Sequence, residues 1–159
     1  MASILRKTAI FGTLGLALSI IPAATVSASA TSGQRELYDS KCADDDTDYE
    51  YYGILRVFYT PDSNSDVDHV DNIKYFLGTE NGRKLGKKSN VRLRIRESLP
   101  DRPDKTLWEW ESGDDIKPGW HSKQPYRNVA YKKRWHVDAK FTFDVSGVDP
   151  RSVCTTNKA

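Results

Sequence analysis

The sequence predicts an all-β fold, a small sandwich or partly open barrel of about six to eight mainly antiparallel strands. Three observations carry the expectation. Beyond Gly53 the apolar residues recur with a period of two rather than 3.6. The segments that alternate are rich in β-branched and aromatic residues, and Gly, Pro, Asn and Asp separate them. Two cysteines, Cys42 and Cys154, stand toward opposite ends of the chain, where a disulfide would tie the termini. The alternative is an α+β arrangement with a short helix near residues 34–41, in QRELYDSK.

Residues 1–30 read as an export signal that is removed. Arg6 and Lys7 begin it, the apolar AIFGTLGLALSII follows, and Ala28 to Ala30 supply a small-residue cleavage site. The apolar stretch falls short of the ~20 residues a membrane span needs, and no later segment comes closer. The expected product is therefore secreted and extracellular, without stable membrane insertion. The remainder suffices for one domain. It divides into an acidic segment, 31–52, containing Cys42, and a β-rich domain, 53–159, closed by Cys154.

Strands follow in order. ILRVFYT (54–60) and NIKYFLG (72–78) are short candidates. NVRLRIRES (90–98) puts Arg92, Arg94 and Arg96 on one face and Val91, Leu93 and Ile95 on the other. TLWEWE (106–111) comes next, with Pro100, Asp101, Arg102 and Pro103 between. A hairpin there that sets Ile95 opposite Trp108 and Leu93 opposite Trp110 also sets Arg94 opposite Glu109 and Arg92 opposite Glu111. The arginine row then finds its counter-charges within the protein, which argues against a nucleic-acid partner. The clearest strand is RWHVDAKFTFDV: Trp135, Val137, Ala139, Phe141, Phe143 and Val145 form an apolar face, and His136, Asp138, Lys140, Thr142 and Asp144 a polar face turned to water.

Charge is unevenly distributed. Without Arg6 and Lys7 the chain is balanced, yet residues 31–80 hold 12 acids against 4 bases, and 81–159 hold 10 acids against 18 bases. In one compact domain the halves are expected to interleave and cancel. A dipolar surface that orients a charged partner is the alternative.

Four stretches carry candidate chemistry. PDSNSDVDHVDN (61–72) offers Asp62, Asn64, Asp66 and Asp68 as metal ligands, but Val67 and Ile73 occupy the glycine and acid positions of an EF-hand loop. A plain turn is the expectation and an irregular calcium site the alternative, so no cofactor is expected unless calcium binds here. CADDDTDYEYYG (42–53) gathers Asp44, Asp45, Asp46, Asp48 and Glu50, which need a cation, basic partners such as Arg83, Lys84, Lys87 and Lys88, or solvent. His136 and Asp138, with Lys140 beyond them, form part of an acid–base set without a nucleophile. KPGWHSKQPYR (117–127) reads as a turn-rich loop bearing Trp120, His121 and Tyr126, aromatic residues suited to stacking on a sugar or filling a protein pocket.

No metalloprotease, nucleophile-elbow, P-loop or CxxC motif occurs after the signal. The leading expectation is a secreted non-catalytic binding protein for a protein or glycan partner, acting through 117–127. An inhibitor or a small toxin belongs to this class. The alternatives are a small secreted nuclease or hydrolase using His136 and Asp138, and a calcium-stabilised extracellular structural protein.

Overall fold

The computed structural model describes residues 33–43, 50–145 and 152–156. The export segment and the carboxylates at 44–48 lie outside the described residues. Among the described residues there are nine strands and no helix, one strand more than expected. They form two antiparallel sheets arranged like a sandwich.

The first sheet contains β1 (Arg35–Ala43), β2 (Tyr51–Asp62), β3 (Val67–Thr79) and β6 (Gly119–Lys123) in that order, and β7 (Arg127–Ala130) pairs the other end of β3. The second runs β5 (Lys105–Glu111), β4 (Asn90–Glu97), β8 (Trp135–Phe143), β9 (Ser152–Thr155). The helix considered for 34–41 is a strand instead. Its backbone pairs antiparallel with β2, Cys42 opposite Gly53 and Lys41 opposite Ile54, so the ladder takes the hydrogen bonds a helix would have closed internally.

Period-two alternation fixes the core. Tyr51, Leu55 and Val57 of β2 and Ile73, Tyr75 and Leu77 of β3 are buried against Val91, Leu93 and Ile95 of β4 and Val137, Ala139, Phe141 and Phe143 of β8. Gly53 belongs to the same inward row because the Phe141 ring occupies the space of a side chain there: a Cβ would lie 2.3 Å from it. The Tyr51 and Phe143 rings meet 5.7 Å apart alongside.

The β4–β5 hairpin has the expected register, with Leu93 opposite Trp110, Ile95 opposite Trp108, Arg94 opposite Glu109 and Arg92 opposite Glu111. Its loop turns through Asp101, whose φ of 58° is a left-handed geometry that aspartate tolerates. Cys42 on β1 and Cys154 on β9 form a disulfide, Cα atoms 5.7 Å apart, which joins one sheet to the other.

Candidate functional site

Trp120 lies on the outer face of the first sheet and is 47% exposed. The segment 117–127 is not a loop throughout: Gly119–Lys123 is an edge strand paired with Ile73–Leu77, and Pro118 and Pro125, which cannot donate to a ladder, fall just outside it. That pairing sets Trp120 beside Phe76, rings 5.2 Å apart, and Phe76 stacks on Tyr52 at 5.8 Å. Cations cover two of these rings and a fourth one. Arg56 sits 4.9 Å from the Trp120 ring, Lys41 4.3 Å from Tyr52 and Lys74 5.2 Å from Phe58. Each such contact is worth about 0.5–1 kcal/mol at an exposed site. The result is a row of tilted rings interleaved with positive charge.

Strand geometry separates the three aromatic candidates. His121 follows Trp120 and so points to the opposite face, where its ring stacks on the buried Tyr75 at 5.4 Å and its Nε2 lies 2.8 Å from the Lys117 carbonyl. Burial also pushes the Tyr75 hydroxyl above its ordinary value. Tyr126 lies between β6 and β7, 79% exposed with φ of 46°, its hydroxyl donating to Gln124. Trp120 thus shares its surface with Tyr52, Phe58 and Phe76, not with His121 and Tyr126. Sequence reading missed these partners although Tyr52, Ile54, Arg56 and Phe58 alternate in YYGILRVF. With apolar residues at both parities, that strand looks buried on both sides.

The polar face of β8 is turned away from water over its first half only, Lys140 and Thr142 being half-buried. His136 is 2% and Asp138 5% exposed, because arginines of β4 lie across them. Asp138 accepts from Arg94 Nε at 2.8 Å, Arg94 Nη2 at 3.1 Å and Arg96 Nη1 at 3.3 Å. It therefore takes the role expected of Glu109. His136 turns instead toward the β4–β5 connection, Nδ1 3.0 Å from Ser98 Oγ and Nε2 3.6 Å from Asp104 Oδ2. Lys140 lies beyond Asp138, opposite Arg92. The structure does not assemble His136, Asp138 and Lys140 into a unit. A hydroxyl, Ser98 Oγ, does sit beside His136, with the Asp104 carboxylate on the other side of the ring.

Residues 61–72 are the end of β2, the start of β3 and, between them, the hairpin turn 63–66. Asp62 pairs across to Val67, and its carboxylate accepts from the Ser65 hydroxyl and the Asn64 backbone N–H. Those bonds, the Ser65 hydroxyl first, hold the carboxyl below the usual carboxylate range. Asp66 bends the chain with φ of 55°, and Asp68 points inward, 6% exposed, to accept from Trp135 Nε1 at 2.8 Å. Asp62 and Asp68 are therefore each committed elsewhere, and among the described residues no group of three or more His, Cys, Asp and Glu is placed to hold a metal ion. Of the acidic segment, Glu50 pairs with Arg83 at 2.8 Å.

Clefts open at this end of the sandwich, among them one of about 220 Å3 lined by His69, Asp71, Tyr126 and Asn128. One of about 440 Å3 spreads over the turn between Arg35, Asp66 and Tyr131. Another of about 340 Å3 reaches in between the sheets to Asp68, Trp135 and His136. Comparison with protein-family models, with curated proteins and with solved structures gives no match. The functional reading rests on the geometry alone.

Proposed function

We propose that the protein is exported and acts as a non-catalytic binding protein, and that its ligand surface is the outer face of the first sheet, centred on Trp120. The composition of residues 1–30 supports export, and the Cys42–Cys154 disulfide suits an oxidising compartment. The observation that carries the binding reading is the half-exposed Trp120 ring standing in one row with Phe76 and Tyr52. Rings offer flat apolar area to the C–H face of a sugar, and Lys41 and Lys74 beside them favour an anionic one. An acidic glycan is the partner this chemistry fits. A hydrolase is less well supported, since two guanidinium groups already hold Asp138.

Binding of the oxidised protein to immobilised sulfated and neutral glycans tests this directly. Retention on the sulfated glycan, reduced at least about tenfold (about 1.4 kcal/mol) in Trp120→Ala with the thermal midpoint held, is the expected outcome. Equal binding by Trp120→Ala, or none to any acidic glycan, would remove the reading.

A further inference from the structure

The outer face of the second sheet carries two cations that the fold leaves without an anion. Arg92 projects from β4 between the buried Val91 and Leu93, and Lys140 projects from β8 between the buried Ala139 and Phe141. They stand directly opposite each other in the β4–β8 pairing, where like charges repel. Asp138, one step along the same face, is spent on Arg94 and Arg96. Glu111, the acid that the β4–β5 register offers to Arg92, is exposed and forms no ion pair. Neither Arg92 nor Lys140 makes a hydrogen bond or an ion pair with any described residue.

The charged ends of both side chains are open to a guest. Each residue is half-buried. Arg92 Nε is shut in, but its two terminal nitrogens and Lys140 Nζ are not, so a guest meets the far edge of the guanidinium. Exposed Thr155 of β9 lies opposite Lys140 and adds a hydroxyl to the same row. A guanidinium edge can hold two oxygens of a tetrahedral anion while an ammonium holds a third as a point charge. Two positive charges are matched by two negative ones. A carboxylate or a sulfate ester brings one, whereas a phosphate monoester brings close to two near neutral pH.

We infer that Arg92, Lys140 and Thr155 form a binding site for a dianionic phosphate, either the free ion or a phosphate monoester. The guanidinium edge and the ammonium each take phosphate oxygens, and the Thr155 hydroxyl donates to another. The site lies on the outer face of the second sheet and Trp120 on that of the first, so it stands whether or not a glycan binds at Trp120.

The amide resonances of Arg92, Lys140 and Thr155 in the oxidised protein report on this row, in titrations held at constant ionic strength with chloride near neutral pH. Inorganic phosphate should shift all three together and saturably, and acetate should bind at least about tenfold more weakly. Phenyl phosphate tells the two sources apart: affinity equal to that of inorganic phosphate supports an esterified ligand, and affinity at least about tenfold lower supports the free ion. Arg92→Lys keeps the charge but loses the planar edge, and should weaken phosphate about tenfold, as should Lys140→Gln. Trp120→Ala should leave phosphate binding unchanged. No saturable shift with phosphate, acetate binding as tightly as phosphate, or unchanged phosphate binding in Arg92→Lys or in Lys140→Gln would overturn the inference.

Discussion

Asp138 illustrates how one residue changes meaning once its neighbours are known. Alternation places it beside His136 on the face of β8 away from Val137 and Ala139, and that placement holds. Its burial was not legible, because the cover comes from Arg94 and Arg96, and only the β4–β8 pairing decides which arginine lies opposite which acid. With the Asp138 side chain 7% exposed, the pair behaves as a partly buried ion pair, and removing one member strands the other. Asp138→Ala should therefore cost about 3 kcal/mol in urea unfolding, by leaving two guanidinium groups without their anion. Adding Arg94→Met to that variant should recover part of the loss, a coupling that a double-mutant cycle measures. A cost below about 0.5 kcal/mol would show that solvent screens the pair as it does at a surface.

At the level of elements, the β4–β5 hairpin was readable residue by residue, since the pairing that joins Leu93 with Trp110 also joins Arg94 with Glu109. A one-residue slip would have turned the apolar set outward, and the sequence excludes it. Strand β6 was hidden: five residues between two prolines resemble a loop until β3 supplies the edge on which they pair. Strands β2 and β3 carry a sharper test of packing. A Cβ at Gly53 would lie 2.3 Å from the Phe141 ring inside the core, and one at Gly78 would lie 2.2 Å from the Tyr52 ring on the outer face. Phe141 is fully buried and has nowhere to go, whereas Tyr52 can swing toward solvent. Gly53→Ala should cost about 1–3 kcal/mol by denaturant unfolding, and Gly78→Ala clearly less. Equal costs would mean that the outer rings are as tightly held as the core.

Across the whole molecule, the uneven charge lies along the chain and not between the sheets, whose strands hold 6 bases and 5 acids in the first and 5 bases and 4 acids in the second. The acidic half of the chain supplies β1, β2 and β3, and the basic half builds the second sheet. The halves interleave: β6 and β7 of the basic half complete the first sheet, and Arg83 reaches back to Glu50. The disulfide spans 112 residues and joins β1 to β9, one edge strand of each sheet. By loop-closure entropy such a link contributes about 4.7 kcal/mol, an upper figure. The Cys42→Ala, Cys154→Ala double variant should lose about 2–5 kcal/mol against the oxidised protein in urea unfolding. A loss under about 1 kcal/mol would mean that strand pairing alone holds β1 and β9 and leaves the link little to constrain.

Side-chain period, turn residues and cysteine number sufficed for the all-β class, the strand at Trp135–Phe143, the hairpin register and the disulfide, because each depends on local spacing or has a single solution. Which faces are covered, and which side chains share a surface, depended on strands distant in sequence. Trp120 joins Phe76 and Tyr52, Asp138 joins Arg94, and Asp68 meets Trp135 only because non-local pairing and the stacking of two sheets put them there. Spacing along one strand carries no information about the strand laid against it.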